Sequence, residues 1–154
     1  MSSGPRVGAL LEDLDRQRTA FVAALDAVGP RAGRRILESW DGRDLVFHVA
    51  YWSDHGANAV RLAATGRGGS FDYDSSQTDA INARATLAGR ALSLEQARTR
   101  EGEAYARLRA GLAALDDGVL DEQLGNGDLV EDVVRYDGPD HYAEHAGHLR
   151  TVLG

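Results

Sequence analysis

The stretch DGRDLVFHVAYWSDHGANAVRLAATG, residues 41–66, predicts a long amphipathic helix. Its apolar residues recur at the three- and four-residue spacing of a helix with one buried face: Leu45, Val49, Trp52, Val60 and Ala63. Asp41 has the short polar side chain of a helix N-cap, and Asp44 follows three residues later in the first turn. Gly56 would destabilise the helix interior by about 1 kcal/mol relative to alanine. We therefore expect another part of the chain to pack closely at Gly56.

Three further segments have the same helical periodicity. The first covers residues 7–28 and is ended by Gly29 and Pro30. The third long helix begins at a capping-box pattern, Ser93 with Gln96, and the last begins at the sequence DGP, residues 137–139. Four long amphipathic segments without a confident strand predict an all-α four-helix bundle, in a single domain that spans residues 1–154.

The connections between these helices are less regular. A long loop rich in Gly, Ser and Asp, residues 66–77, follows helix two, and a short helical piece is expected from Thr78 to about Leu87. Asn126-Gly127 is typical of a turn. Residues 129–136 could form a short strand, but the chain offers few other strands to pair with it. An ordered loop is the expected structure there.

Composition limits the class of protein. The chain has 154 residues, of which 43% are hydrophobic and 27% charged, as in a soluble globular domain. We expect a cytoplasmic protein without a membrane partner, because no apolar run approaches the roughly 18–20 residues of a membrane helix and the start lacks a signal-peptide pattern. The net charge of −7 argues against nucleic acid as a partner. Because there is no cysteine, thiolate ligands and a cysteine nucleophile are excluded, and thiol chemistry would require an external thiol.

The histidines are concentrated in helix two and the last helix, at His48, His55, His141, His145 and His148. His141 and His145 lie about 40° apart and about 6 Å along a helix axis, so both imidazoles can reach one metal ion. A lone inward histidine such as His48 is usually a hydrogen-bonded core residue. Here, however, an inward pair on a second helix lets three imidazoles converge, and such a cluster would be costly to bury without a metal or a carboxylate. We therefore predict a divalent-metal site at His48, His141 and His145, with positions open for water or substrate.

Other residues are candidates for the pocket around this site. His55 lies on roughly the same helical face as His48, which allows either a pocket position or a surface position beside Asp54. His148 could contact the rim of the site, and Trp52 is expected mainly in the core but near the pocket. The 66–77 loop could close over the metal. Phe71, Tyr73 and Asp74 are its candidate substrate contacts, although simple packing within the loop is the favoured interpretation of each. No residue is an obvious covalent nucleophile, so no catalytic residue is assigned.

Two segments resemble a known family. Residues 39–52, SWDGRDLVFHVAYW, resemble the DinB/YfiT-like signature, in which a Trp precedes the second helix and an inward His follows. Residues 140–150, DHYAEHAGHLR, resemble the last-helix HxxxH of that family and are nearest to its ClbS/DfsB-like branch. The resemblance covers nearly the whole chain. It implies a four-helix bundle and a mononuclear divalent metal, often zinc or nickel, on His48, His141 and His145. A related branch, the mycothiol-dependent maleylpyruvate isomerases, has a Glu where this chain has His141 and resembles it less closely.

The resemblance also implies a range of functions. It favours a metal-dependent thiol S-transferase or hydrolase that acts on a small electrophilic molecule, with mycothiol or another low-molecular-weight thiol as co-substrate. The alternative is a ClbS-like self-protection or binding protein for a reactive small molecule, with little or no turnover. A third interpretation is a structural bundle that binds metal without turnover. We also expect a homodimer, because residues 7–28 carry a wide apolar stripe that is not expected to be fully covered by one core.

Overall fold

The computed structural model describes residues 3–154, and these fold into six α-helices joined by short 3₁₀ turns and loops. The described residues contain isolated bridges but no strand. The helices are α1 Pro5–Val28, α2 Gly42–Ala64, α3 Thr78–Gly89, α4 Leu94–Ala113, α5 Val130–Asp137 and α6 Pro139–Thr151. The predicted all-α bundle is confirmed: its four helices are α1, α2, α4 and α6.

Two helix pairs build the bundle: α2 packs along α4, and α1 packs along α6. Their apolar faces meet in one core that includes Leu10, Leu14, Leu45, Leu108 and Leu149, all almost fully buried. The rings of Phe21 on α1 and Tyr142 on α6 meet edge to face, with 5.4 Å between their centroids. Because α2 and α6 face the same core, histidines on their inner faces can approach one another.

The predicted helix starts are confirmed by their capping contacts. At α2 the Asp41 carboxylate accepts from the Asp44 amide at 2.9 Å, while the Asp44 carboxylate accepts from the Asp41 amide at 3.3 Å. Ser93 and Gln96 form the same reciprocal pair at the start of α4. Pro139 occupies the first turn of α6, where its missing amide proton is not needed. A cap of this kind stabilises a helix by about 1 kcal/mol.

The sequence predicted an ordered loop for residues 129–136, with a short strand as the alternative, and that prediction is wrong: residues 130–137 are helical. They form α5, because Val130, Val133 and Val134 have helical i, i+3, i+4 spacing and are all buried. Gly138 separates α5 from α6, and a side chain there would place its Cβ 2.6 Å from the carbonyl oxygen of Val134. The short helix therefore ends at Asp137, which it holds against α2.

The loop after α2 has more structure than its composition suggests. It contains 3₁₀ turns at Gly68–Ser70 and Ser75–Gln77, after which α3 begins at Thr78, as predicted, and continues to Gly89. The Asn126-Gly127 turn is also present, with Gly127 at a φ of 93°. In the described residues, no helix is both long enough and apolar enough to cross a membrane.

The apolar stripe of α1 is largely covered within the chain. Leu10, Leu14 and Phe21 are buried in the core, while Leu11 and Val22 are only partly buried. One core therefore accommodates most of the stripe that motivated the homodimer. The homodimer remains a prediction, which sedimentation at micromolar concentration would decide.

Candidate metal centre

The three predicted ligands converge between α2 and α6. The Nε2 atom of His141 lies 2.9 Å from Nε2 of His48 and 3.0 Å from Nε2 of His145. The ligand atoms of the three side chains all lie within 4.8 Å of one another. The helical spacing of His141 and His145 and the inward position of His48 thus bring three imidazole nitrogens to one point.

This arrangement fits a metal ion better than a hydrogen-bond network. Two nitrogens bound to one ion at about 2.0–2.1 Å lie roughly 2.9–3.4 Å apart, which matches the two distances from His141 Nε2, 2.9 Å to His48 and 3.0 Å to His145. Without an ion, His141 Nε2 offers either one proton or one lone pair to two neighbouring nitrogens, so it can make only one good hydrogen bond. Three imidazoles form a donor set that suits zinc or nickel.

The surroundings keep the three imidazoles uncharged. Burial lowers the pKa of His48 from 6.5 to about 4 and the pKa of His145 from 6.5 to about 3. The pKa of His141 lies well below its ordinary value, first because of burial and then because of the two neighbouring imidazoles. At neutral pH all three side chains therefore present lone pairs, as metal ligands must.

Neighbouring side chains orient two of the three rings. The Trp40 ring packs against His48 with 4.5 Å between centroids. His148 approaches His145 from the far side, with 3.0 Å between their Nδ1 atoms. His148 therefore contacts a candidate ligand but does not line the cavity described next. The Nδ1 atom of His141 is buried and has no hydrogen-bond partner among the described residues.

A cavity of about 830 Å³ opens beside the triad. Trp52, His55 and Tyr73, three of the pocket candidates named from the sequence, are among the residues that line it. Trp52 is buried and its indole nitrogen donates to the Asn82 side chain of α3 at 2.8 Å, so α3 fixes one wall of the cavity. Trp52 is thus both a buried core residue, as expected from the sequence, and part of the cavity wall.

The loop that contains residues 66–77 contributes to the cavity through part of its length. Tyr73 and Ser75 line the cavity, whereas Phe71 is buried behind it and packs against His55 at 5.2 Å between centroids. Asp74 points away, since its carboxylate accepts from the amide and hydroxyl of Ser76. Of the three loop residues named from the sequence, only Tyr73 therefore lines the cavity.

A carboxylate–imidazole pair in the cavity wall was missed by sequence reasoning. His55 Nδ1 lies 2.6 Å from Oδ2 of Asp137, and Asp137 is buried at the end of α5. Asp54, the surface alternative for His55, instead pairs with Arg107 at 2.8 Å. The available signal was Gly56, where an added Cβ would lie 3.0 Å from the Cβ of Asp137. The close neighbour expected at Gly56 is therefore Asp137.

The mouth of the cavity is acidic. We call its four carboxylates the acidic rim; they belong to Asp128, Asp132, Asp140 and Glu144. The guanidinium of Arg135 lies among them with the opposite charge. Arg135 itself is partly drawn away by Glu131 at 3.5 Å. The field at the cavity mouth therefore favours neutral or cationic molecules over anions.

Comparison with known proteins places this geometry in a family context. The family model described as the mycothiol maleylpyruvate isomerase N-terminal domain matches residues 11–149, a range that contains the whole triad. This is a DinB/YfiT-like domain family, in agreement with the resemblance found in the sequence. The matched model belongs to the maleylpyruvate-isomerase branch. The sequence had indicated a closer resemblance to the ClbS/DfsB-like branch, because this chain has His141 where the isomerases have a Glu. No curated protein resembles the chain closely enough to count as a match.

Proposed function

The chain belongs to the mycothiol maleylpyruvate isomerase N-terminal domain family, and on that premise we propose that it is a metal-dependent enzyme that joins a low-molecular-weight thiol to a small electrophilic molecule. The observation that supports this proposal best is the triad of uncharged imidazoles, two buried and one half-buried, whose Nε2 atoms approach one another at the wall of an open cavity. A structural histidine cluster would gain nothing from such a cavity. Mycothiol is the favoured co-substrate, because the matched family is mycothiol-related and this chain has no cysteine of its own.

His48, His141 and His145 would hold the ion, and zinc or nickel suits this donor set. When bound, a divalent ion polarises a carbonyl or epoxide oxygen and lowers the pKa of a coordinated water or thiol toward about 7. The residues of the chain supply the remaining requirements. Trp52 and Tyr73 provide aromatic walls that bind the carbon skeleton of a substrate and exclude water.

The cavity limits the class of substrate. A volume of about 830 Å³ falls in the range of small-molecule sites, roughly 300–1,000 Å³, and leaves room for an electrophile together with part of a thiol. The acidic rim repels anions, so the electrophile is neutral or cationic. A dicarboxylate would meet four carboxylates at the mouth of the cavity and one guanidinium.

Turnover with defined probes tests the proposal. Zinc- or nickel-loaded protein is incubated with a neutral epoxide or a bromobimane-type electrophile, with and without mycothiol or N-acetylcysteine. Thiol-dependent acceleration that is lost in His145→Ala and kept in Arg150→Ala, an exposed position on the same helix, supports thiol transfer.

Two other results would overturn the proposal. Opening of the electrophile that needs the metal but no thiol would replace transfer by hydrolysis or self-protection. Absence of turnover above the metal-free control, across a panel of neutral and cationic electrophiles, would favour the ClbS-like binding protein.

A further inference from the structure

The imidazole of His55 is held in one orientation on the cavity wall. Its Nδ1 atom contacts the Asp137 carboxylate at 2.6 Å. Three aromatic rings pack around it, with centroid distances of 4.8 Å to Trp52, 5.2 Å to Phe71 and 4.7 Å to Tyr73. Nε2, the other ring nitrogen, has no hydrogen-bond partner among the described residues, and the side chain lines the cavity.

From this geometry we propose that His55 is a catalytic residue that accepts a proton from the bound substrate, and that Asp137 is the residue that positions it. A carboxylate that accepts from Nδ1–H leaves the lone pair on Nε2, which is the nitrogen available to the cavity. The same carboxylate stabilises the imidazolium that forms when Nε2 takes up a proton. This inference rests on the proposed thiol transfer, because it assigns the acceptor of the thiol proton.

The packing of α5 against α2 brings Asp137 next to His55. Asp137 ends α5 at a point where α2 has a glycine, Gly56, directly after His55. A Cβ on residue 56 would lie 3.0 Å from the Cβ of Asp137 and 3.5 Å from its Oδ2. The absence of a side chain at Gly56 therefore lets the carboxylate reach His55. The other nearby carboxylate, Asp54, is bonded to Arg107 instead.

The position of His55 relative to the triad defines where the substrates lie. His55 follows His48 by seven residues on α2, which places it on nearly the same face and about 10 Å farther along the helix. That separation fits an electrophile held at the triad with the thiol sulfur between the electrophile and His55. His48 and the rest of the triad would therefore contact the electrophile, and His55 would contact the thiol.

The chemical step balances without a further reactant when the electrophile is an epoxide. The thiol S–H bond breaks and its proton goes to Nε2 of His55. The sulfur forms a bond to an epoxide carbon as the carbon–oxygen bond of the ring breaks, and the electron pair goes to oxygen. The imidazolium then returns its proton to that oxygen, directly or through water, and the product is a hydroxy thioether.

Kinetics with zinc-loaded protein, N-acetylcysteine and a neutral epoxide test the role of His55. General-base catalysis contributes about 10²–10⁴-fold, so we expect kcat/KM to fall by about 100-fold or more in His55→Gln and in Asp137→Asn. Zinc content should stay at that of the wild type, and the acidic limb of the pH profile should disappear in His55→Gln. Added imidazole should partly restore the rate of His55→Ala. Asp54→Asn, a matched loss of charge one residue away, should keep the wild-type rate.

Wild-type kcat/KM and an unchanged pH profile in His55→Gln and Asp137→Asn would overturn the inference. Nitrogen-15 NMR of the zinc-loaded protein without substrate gives a readout that does not depend on turnover. We expect the His55 ring, assigned by its loss in His55→Gln, to carry its proton on Nδ1. Burial raises the pKa of Asp137 whereas His55 lowers it, so a protonated Asp137 that donates to Nδ1 is the competing state. A proton on Nε2 would overturn the inference.

These two readouts separate the inference from the proposed function. If the wild-type protein shows no thiol transfer with any probe, the proposed function fails. The NMR result then decides by itself whether His55 is a positioned proton acceptor.

Discussion

Replacing Glu101 with glutamine tests what holds α6, and with it two of the three candidate ligands, in place. Glu101 is buried on α4, where its carboxylate accepts from the Arg18 guanidinium of α1 at 2.9 and 3.2 Å. It also accepts from the phenol of Tyr142, which follows His141 directly on α6. One carboxylate thus ties α1, α4 and α6 together beside the triad.

The structure sets the size of the effect. Removing one charge of a buried ion pair destabilises a protein by about 3–5 kcal/mol, because the remaining charge loses its partner. The Arg18 side chain is 28% exposed and the Glu101 side chain 4% exposed, so Arg18 keeps some contact with water. We therefore expect the lower end of that range, about 3 kcal/mol. In a domain of this size that loss lowers Tm by about 6–12 °C.

Thermal and urea unfolding of metal-free protein provide the measurement. Glu103→Gln is the matched control, since Glu103 is exposed two residues further along the same helix, and its effect should stay within about 0.5 kcal/mol. Glu101→Gln should also weaken zinc binding, because Tyr142 no longer has a charged acceptor beside His141. A loss below about 1 kcal/mol, or one equal to that of Glu103→Gln, would refute this account of the network.

Three further predictions follow from the packing and charge of the site. Gly8→Ala should raise the free energy of unfolding by about 0.5–1 kcal/mol, because an added Cβ there meets nothing within 4 Å. Gly56→Ala should raise it less, as measured by urea unfolding, and should lower the thiol-transfer rate. Equal stabilities of the two variants together with a wild-type rate in Gly56→Ala would contradict the close packing at Gly56. Metal-free protein should be most stable above pH 6.5 and should lose about 3 kcal/mol for each of His48 and His145 as the pH falls toward 4, because the unfolded chain takes up protons that these folded histidines resist. The same urea series on His48→Gln should show a smaller slope of stability against pH, and an unchanged slope would exclude His48 as a source. Neutral epoxides should react faster than carboxylated epoxides of the same size. The difference in rate should shrink at high salt, because salt screens the charge of the acidic rim beyond a Debye length of about 8–10 Å. Equal rates would show that the rim does not select the substrate.

Local sequence rules predicted much of the fold and the convergence of the three candidate ligands. The bundle helices follow from apolar periodicity, and their starts from side chains that act within three or four residues, such as Asp41 and Ser93. The triad was predictable because the helical spacing of His141 and His145 puts them on one face and the apolar neighbours of His48 turn it inward. These are short-range patterns, which a single sequence records directly.

The parts of the site that depend on distant contacts were not predictable. Asp137 meets His55 across 82 positions of the chain, and α5 has too few residues to show a clear helical period. Glu101 was missed for the same reason, because its burial depends on Arg18, 83 positions away. Only Gly56 carried a local signal, an interior helix glycine that indicated a close neighbour without identifying it.

The metal content of the protein tests the central claim most directly. Native protein, purified without added metal and without chelator, is analysed for zinc, nickel and other divalent metals, beside His48→Ala, His141→Ala, His145→Ala and the control Arg150→Ala. We predict one divalent ion per chain in the native protein and in Arg150→Ala, and loss of the ion in each triad variant that remains folded by circular dichroism. Full occupancy in a triad variant would remove that histidine from the site. Native protein that contains no metal and takes up neither zinc nor nickel on titration would contradict the account.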